Sequence, residues 1–385
     1  MSYISCVLRP QSPAELAEAL RCAAARGNTI ALGGAFSKTA IAGRTTPADV
    51  TISTASLNRI LKYDPRDLTV SVEAGMPFDE LSRVLAAHRQ MIPLDPPFSS
   101  RATVGGVLAA NTSGPRRLLY GTARDMVIGM TFATLEGKLV QSGGMVVKNV
   151  AGLDTAKLMI GSFGTLAAIA VANFKVAPIP PASRTLVLSA ASLDEVMSAR
   201  NAVIRGVLQP TAVDLLDPRA AARLGYQGYL LLVRAAGNRA ALERYSRALP
   251  AASALEGEPE EDLWLRIKNF TPDFMSEHAG ATVVRVSCLL TQVGEVVRST
   301  PGPVVARAGS GVVYAYFTGP GAAGEWVREA SARGWKVVIE YAPEEAKSNL
   351  ELWPAPADGL EIMRRIKRLF DPANLLNRGR LYGRI

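Results

Sequence analysis

Cysteine and histidine are scarce in this chain. Its 385 residues include three scattered cysteines, Cys6, Cys22 and Cys288, and no CxxC pair. That spacing argues against a disulfide framework, a zinc site or an iron–sulfur cluster held by this chain. No metal site is predicted, because the two histidines, His88 and His278, stand far apart in the sequence. A reducing, cytoplasmic setting fits best.

Long apolar runs are also missing. No stretch approaches the roughly 18–20 residues that a membrane helix needs. The first twenty residues lack a basic segment followed by an apolar one, so no secretory signal is expected. The predicted location is the cytoplasm, with peripheral association at the inner face of the cell membrane left open.

Positive charge is in excess, with 43 Lys and Arg against 34 Asp and Glu. Such an excess suits nucleic acid, an anionic membrane face or a polyanionic small molecule. The densest run, "MRRIKRLF" at Met363–Phe370, has no interleaved stacking aromatics. It is predicted to be the solvated face of a helix, with contact to a partner or a membrane left open, and nucleic-acid binding is not expected.

Local signals divide the chain into two parts. A capping box at Ser12–Glu15, with Pro13 at the first helical position, predicts a helix that ends at Gly27. Strands follow, including a hairpin that turns at Glu136-Gly137. The proline-rich stretch 177–183 marks a predicted domain boundary.

Beyond this boundary, strands and helices alternate in two βαββαβ-like passes. This order predicts helices packed on one face of an antiparallel sheet, an α+β layer. "GPGAAG" at Gly319–Gly324 matches the dinucleotide-binding pattern GxGxxG. We interpret it as structural, because Pro320 removes an N–H from the loop and the run of parallel βα units that this fold needs is missing.

Four glycine-bearing segments, each beside a hydroxyl side chain, lie near the N-terminus. Glycine lets a ligand touch the backbone, and successive bare N–H groups form an anion-binding nest. Together they predict a large cofactor lying along the backbone, with its diphosphate over one of the loops. The segments are 33–38, 103–114, 142–154 and 161–169.

The residue sequences of these segments resemble those of the flavoproteins of the vanillyl-alcohol-oxidase/PCMH superfamily. Within it, "GPRRLLYGTARD" and "GGMVVKNVAGLD" are most similar to the FAD-binding subunits of bacterial glycolate oxidases. The resemblance covers the whole chain and is looser in the middle. The segments that carry it most clearly are "IALGGAFSK", "PLDPPFSSRATVGGVLAANTSG", "LMIGSFGTLAAIAVANFKVAPIP" and "FDPANLLNRGR".

The resemblance implies an α+β fold with three parts. A PCMH-type FAD-binding domain of two subdomains is expected at 1–180 and an antiparallel-sheet α+β cap domain at 183–345. A C-terminal helix and return segment at 346–385 would complete the flavin site. Because the first loop reads Ala-Phe-Ser, without the histidine that tethers FAD in many members, non-covalent FAD is predicted.

The resemblance also implies which residues hold FAD. The diphosphate would lie on the first loop, the ribityl and flavin side on the second, the adenine–ribose end on the third and fourth, and the ring edge on the C-terminal segment. These residues are Gly33, Gly34, Ala35, Phe36, Ser37 and Lys38; Pro96, Thr103, Gly105, Gly106, Asn111 and Ser113; Asp154, Gly161, Ser162, Gly164 and Ile169; and Asn377 and Arg380.

No residue is assigned as the catalytic base. The histidine cluster of the related D-2-hydroxyacid dehydrogenases is missing. The candidates for a catalytic role are Lys148, placed near the flavin N1/C2=O edge, and His278. The leading hypothesis is an FAD-binding subunit of a glycolate (2-hydroxy acid) oxidase. It would work beside a catalytic flavoprotein subunit and an iron–sulfur subunit on a small hydroxy acid.

Two alternatives stay open. One is a self-sufficient FAD oxidoreductase acting on another alcohol or hydroxy acid, with a base drawn from Tyr314, Tyr316, Glu340 or His278. The other is a non-catalytic structural subunit with a vestigial FAD fold. Added FAD would not change the melting temperature of such a subunit.

Overall fold

The computed structural model describes residues 6–146, 153–249, 251–354, 359–383 and 385. The chain forms two compact units. Unit 1 comprises Met1–Thr112, Thr122–Ile179 and Ala355–Ile385, and unit 2 comprises Ser113–Gly121 and Pro180–Pro354.

The strands, in chain order, are β1 (Cys6–Leu8), β2 (Ile30–Gly33), β3 (Val50–Ser53), β4 (Ile60–Asp64), β5 (Thr69–Glu73), β6 (Gln90–Met91), β7 (Val127–Ala133), β8 (Leu139–Gly143), β9 (Ala168–Lys175), β10 (Ala177–Pro178), β11 (Ala182–Ala190), β12 (Ala212–Leu216), β13 (Tyr229–Gly237), β14 (Ser253–Leu255), β15 (Thr282–Ser287), β16 (Val304–Arg307), β17 (Val312–Phe317) and β18 (Lys336–Tyr341). The α-helices are α1 (Pro13–Ala25), α2 (Phe78–Ala87), α3 (Val104–Ala110), α4 (Arg117–Tyr120), α5 (Ala123–Met126), α6 (Ala156–Met159), α7 (Leu193–Arg205), α8 (Pro218–Arg223), α9 (Arg239–Ala248), α10 (Glu258–Glu277), α11 (Val293–Ser299), α12 (Pro320–Ala332) and α13 (Gly359–Phe370).

Unit 1 contains a small parallel sheet, β1-β3-β2, and a five-stranded antiparallel sheet, β4-β5-β9-β7-β8. Helix α1 buries Leu16 and Leu20 in a core shared with Ile52 of β3 and Ala170 of β9. The predicted N-cap at Ser12 is confirmed, because Ser12 Oγ accepts the Glu15 N–H at 3.2 Å. The reciprocal bond of a capping box differs from the prediction, because the Glu15 carboxylate accepts from the Gln11 N–H at 2.9 Å. The predicted hairpin is confirmed as well, in the antiparallel pair β7–β8.

The C-terminal segment returns to the parallel sheet of unit 1. Lys367 of α13 is buried, and its ammonium donates to the Thr165 carbonyl at 2.7 Å and to Asp371 Oδ2 at 2.6 Å. The Ile30 N–H then donates to the Leu375 carbonyl at 2.8 Å. The prediction that the basic run is a solvated face is therefore wrong at Lys367, although Arg365 and Arg368 are exposed.

Unit 2 is built on one antiparallel sheet of eight strands, in the order β14-β11-β13-β12-β16-β17-β15-β18. Helices α7, α9, α11 and α12 bury their apolar residues on one face of this sheet, as the two βαββαβ-like passes predict. Strands β17 and β18, which flank the Gly319–Gly324 segment, both pair antiparallel with β15. That arrangement differs from a parallel dinucleotide-binding sheet.

The other face of this sheet is partly covered by α10, the longest helix, which the sequence patterns did not predict. Trp264 of α10 donates to Thr185 Oγ1 at 2.7 Å, and Glu260 accepts from the same hydroxyl. Phe270 and Phe274 pack on Tyr316. Side chains alternate between the helical core and the α10 side along each strand, and those on the α10 side include Asp214, Arg307, Tyr314 and Glu340.

Among the described residues, no helix combines the length and the apolar character needed to cross a bilayer. Within the same residues, no three His, Cys, Asp or Glu side chains stand close enough together to hold a metal ion.

We expect Lys367→Met to destabilise unit 1 by about 3 kcal/mol, because it leaves the Asp371 carboxylate buried without its cation. The Ile30 amide, which donates to the return segment, should lose hydrogen-exchange protection. The exposed neighbour Arg365→Met is the control and should stay within about 0.5 kcal/mol of the wild type. Equal protection of Ile30 in both variants would contradict this role for Lys367.

Candidate functional site

A cavity of about 450 Å³ lies within unit 1. Its volume falls in the range typical of sites for small molecules and cofactors. Its charged lining residues in the described structure are all basic: Lys38, Arg378 and Arg380. The cavity therefore suits an anionic ligand. Its walls come from β2 and the loop after it, residues 45–54, both ends of α3, residues 163–169, and the C-terminal segment.

Around the loop after β2, two carbonyl groups are hydrogen-bonded within the described part of the protein, whereas three N–H groups are not. Ser53 Oγ donates to the Gly34 carbonyl, and the Thr54 N–H donates to the Gly33 carbonyl, both at 2.9 Å. Among the described residues, the N–H groups of positions 35–37 donate to no protein acceptor. Such a row of free donors is what an anion-binding loop offers to a phosphate.

Asn377 ties the C-terminal segment to two walls of the cavity. Its side-chain amide accepts from the Leu32 N–H at 2.8 Å and donates to the carbonyls of Leu32 at 2.9 Å and Phe163 at 2.8 Å. Asn377 has a positive φ of 39°. Its amide is thus occupied by the backbone, which makes it a residue that shapes the cavity.

Arg380 holds the far side of the same loop. Its guanidinium donates to the carbonyls of Thr39 at 2.9 Å, Lys38 at 3.3 Å and Ile41 at 2.6 Å. It also lies 5.9 Å from the centroid of the Phe163 ring. Arg380 is buried, so it adds positive charge to the wall while its donors fix the backbone around Lys38.

Lys38 is the most unusual group in the cavity. Lys38 is one of the residues that line the cavity, and only 9% of it is exposed. Its ammonium is buried and has no hydrogen-bond partner within the described part of the chain. Burial lowers the pKa of Lys38 to about 8. Groups of this kind are costly unless they are paired. Lys38 is therefore a buried cation in a residue of the cavity wall, with no acceptor among the described residues.

The structure brings many of the predicted FAD-binding residues together and separates others from them. Those that line the cavity are Gly33, Gly34, Ala35, Phe36, Ser37, Lys38, Thr103, Gly105, Gly106, Gly164, Ile169, Asn377 and Arg380. Those that lie outside its lining are Pro96, Asn111, Ser113, Asp154, Gly161 and Ser162.

The outlying residues have other surroundings. Ser113 belongs to unit 2, and Asp154 lies 3.8 Å from the ammonium of Lys157. Ser162 is buried and donates to the Met159 carbonyl at 2.9 Å. Asn111 caps the C-terminal end of α3 with a positive φ, and its buried Oδ1 has no partner among the described residues.

Two glycines near the cavity lie close against other residues of the protein. A Cβ on Gly105 would lie 2.9 Å from Ala74 Cβ, and one on Gly33 would lie 2.6 Å from the Phe36 ring. From the sequence, glycine 105 is interpreted as making room for a cofactor. Its close packing against Ala74 is by itself a sufficient reason for a glycine at this position. Sequence reasoning also missed Thr45, Thr46 and Arg378, which carry no glycine signal.

Both histidines end helices. His278 follows α10, where Nδ1 lies 3.0 Å from the Phe274 carbonyl and the ring stacks on Phe274 at 4.4 Å between centroids. His88 follows α2 and packs edge-on against Tyr63. The other catalytic candidate, Lys148, lies outside the described residues.

Family models match both ends of the chain. Residues 4–143 match the FAD binding domain, and residues 352–381 match the C-terminal domain of FAD linked oxidases. Both matched regions contribute walls to the cavity.

Curated relatives include subunits of glycolate oxidase. The chain is 41% identical to glycolate oxidase subunit GlcE of Escherichia coli over 140 residues, which are 36% of this chain and 40% of that protein. It is 23% identical to glycolate oxidase subunit GlcD of Bacillus subtilis over 85% of this chain and 78% of that protein. A D-2-hydroxyglutarate dehydrogenase of Xanthomonas citri is 30% identical over 55% of this chain and 44% of that protein. Except for GlcD, these alignments span less than half of the relative's length.

Solved structures show the same fold. Two crystal forms of alkyldihydroxyacetonephosphate synthase match 96% of this chain and about three quarters of theirs, with TM-scores of 0.70 and 0.73 at 20% and 18% identity. This likeness confirms the predicted α+β fold class.

We expect Gly34→Ala to lower the melting temperature of the protein, at a cost of about 1–3 kcal/mol. A Cβ there would lie 2.9 Å from both Cβ and Cγ2 of Thr103 and would collide with its hydroxyl. No rotamer of Thr103 avoids the clash, and its hydroxyl caps α3 through the Gly106 N–H at 3.3 Å. The matched control is Gly321→Ala in α12, where a Cβ meets nothing within 4 Å. A Gly34→Ala protein as stable as the control would contradict the close packing at this wall.

Proposed function

Since the chain is an FAD flavoprotein of the vanillyl-alcohol-oxidase/PCMH type, we propose that it is the FAD-binding subunit of a glycolate (2-hydroxy acid) oxidase complex. It would carry electrons from the oxidation of glycolate to glyoxylate. The family matches confirm FAD as the predicted cofactor. The observation that carries the proposal is the 41% identity to a glycolate oxidase subunit, together with a basic cavity built from both matched regions.

The cavity residues fit this cofactor. The free N–H groups at 35–37 and the Lys38 side chain would hold the diphosphate, and Thr103 and Gly106 at the start of α3 also line the cavity. When bound, FAD supplies the acceptor for a hydride or an electron pair. The loop residues Ala35, Phe36 and Ser37 include no histidine, which supports non-covalent binding.

Oxidation of a hydroxy acid also needs a group that accepts the hydroxyl proton. His278 and His88 serve as helix ends, and Glu340 is paired with Arg285 at 2.9 Å. Burial raises the pKa of Tyr314 and Tyr316, which keeps both phenols protonated at neutral pH. These surroundings favour a division of labour in which a second subunit supplies the base.

The proposed complex therefore pairs this chain with a catalytic flavoprotein subunit and an iron–sulfur subunit. The substrate is a small hydroxy acid, and the complex works in the cytoplasm or at the inner face of the cell membrane through its partners. The scarcity of cysteine in this chain supports a separate iron–sulfur subunit, because a cluster takes about four thiolates.

A self-sufficient oxidoreductase is the second candidate, and one cluster in unit 2 favours it. Tyr314 is half-buried on the polar face of the sheet, with the Arg307 guanidinium 5.7 Å from its ring centroid. The charges of Glu340, Arg285 and Arg117 also act on it. Arg285 and Arg307 are paired with Glu340 and Asp214, so the cluster keeps one positive charge in excess, and with the phenol this suits a carboxylate ligand.

The proposed division of labour predicts that the purified chain is yellow and binds FAD yet oxidises glycolate poorly. In the native host it should co-purify with a second flavoprotein and with iron. Flavin and iron are measured on the same purified complex, and glycolate turnover is compared between the complex and the isolated chain. High turnover by the isolated chain, at the level of the complex, would contradict the proposal.

Tyr314→Phe separates the two candidates. A self-sufficient enzyme should lose most of its kcat/KM in this variant and keep it in Tyr226→Phe, a tyrosine of unit 2 outside this cluster. The subunit proposal predicts the same low activity of the isolated chain in the wild type and both variants. Steady-state oxidation with an artificial electron acceptor measures the difference.

A further inference from the structure

We propose that the side-chain ammonium of Lys38 is a direct ligand of the FAD diphosphate and that FAD binding depends on its being protonated. This inference rests on the proposed FAD-binding role of the cavity. It goes beyond the main-chain contacts that the glycine loop implies, because it assigns a direct contact with the diphosphate, and the pH dependence of binding, to one side chain.

The first support is geometric. Lys38 is more than nine-tenths buried and is one of the residues that line the cavity, and its buried ammonium has no partner among the described residues. Its backbone is held in place, because its carbonyl accepts from the Ile41 N–H at 3.1 Å and from Arg380. The side chain therefore has a fixed origin beside the free N–H groups of the loop.

A second buried lysine has the hydrogen-bond acceptors that the Lys38 ammonium lacks within the described structure. Lys367 of unit 1 is also buried, but its ammonium donates to two carbonyls and to the carboxylate of Asp371. Lys38 has no such acceptors, although burying an ammonium without them is costly. A diphosphate bound to the loop would supply acceptor oxygens and negative charge at the same place.

The second support is electrostatic. Burial alone accounts for the lowering of the Lys38 pKa to about 8. The other charged groups that line the cavity are Arg378 and Arg380, both of the C-terminal segment, and the walls from β2, α3 and residues 163–169 contribute uncharged residues. Arginine stays protonated throughout the range from pH 7 to 10. Lys38 is therefore the cavity group whose charge changes there.

The sign of the pH dependence follows from linkage. A bound diphosphate raises the pKa of Lys38, so FAD binding takes up a proton once the free protein has lost it. Affinity should be constant below about pH 8 and fall about tenfold per pH unit above it. The stability of the protein without FAD should instead rise with pH between about 8 and 10.5. In this range Lys38 loses its buried charge in the folded state while it stays protonated in the unfolded state.

The test measures the Kd of FAD by quenching of flavin fluorescence, for the full chain between pH 7 and 9.5. The affinity of the wild type for FAD should fall by about thirtyfold over this range. Lys38→Met should bind at least tenfold more weakly at pH 7 and show no such pH dependence. Lys38→Arg should bind at pH 7 within a few-fold of the wild type and stay constant to pH 9.5.

Three controls distinguish loss of the Lys38 contact from a general effect of removing a lysine, from unfolding and from an effect on the flavin ring. Lys336→Met removes one exposed lysine of unit 2 and should behave as the wild type. Without FAD, Lys38→Met should melt at a temperature equal to or above that of the wild type, which shows that it folds. Binding of ADP-ribose, which carries the diphosphate without the flavin, should depend on Lys38 in the same way.

Wild-type affinity of Lys38→Met for FAD at pH 7, or a flat pH profile of the wild type, would overturn the inference and leave the proposed FAD role intact. If the wild type bound neither FAD nor ADP-ribose at any pH, the proposed function and the inference would fall together.

Discussion

A buried ammonium without an acceptor is the constraint on which this account depends. Lys38 lies in the wall of a cavity whose other charges are positive, and the protein supplies no carboxylate to it among the described residues. Such a group costs stability in the ligand-free state. An anion bound beside this ammonium would offset that cost, which is why the proposed FAD site centres on Lys38.

The cavity is assembled from segments far apart in the sequence. Asn377 and Arg380 lie more than 330 residues from the β2 strand and loop that they hold. Lys367 and Asp371 fix the turn that brings them back, since Asp371 also accepts the N–H groups of Leu375 and Leu376 at 2.8 Å. The family models match both the first and the last part of the chain, which agrees with a site that needs both.

Sequence reasoning succeeded where local chemistry decides the structure. The Ser12 N-cap, the Glu136-Gly137 hairpin and the antiparallel sheet of unit 2 each follow from short patterns of residues. It missed α10, which has a proline at position 272 and whose burial depends on Thr185 and Tyr316, both distant in sequence. Propensity does not report such tertiary support.

Within the site, the pattern of glycines identified the loops, but it did not show whether a given residue is there for packing or for ligand binding. Glycine 105 lies against Ala74, and the Asn377 amide is bonded to the backbone, so both shape the walls. The basic run at 363–370 read as uniformly solvated, yet one of its lysines is a buried anchor. Whether a given lysine is exposed, paired or left for a ligand depends on its partners in three dimensions, which spacing alone does not contain.

A crystal structure of the protein grown with FAD tests the central claim most directly. The account predicts FAD in the unit 1 cavity without a covalent link, with a diphosphate oxygen about 2.7–3.2 Å from Lys38 Nζ. A cavity filled by the protein's own side chains, or FAD bound with Lys38 pointing away into solvent, would contradict it.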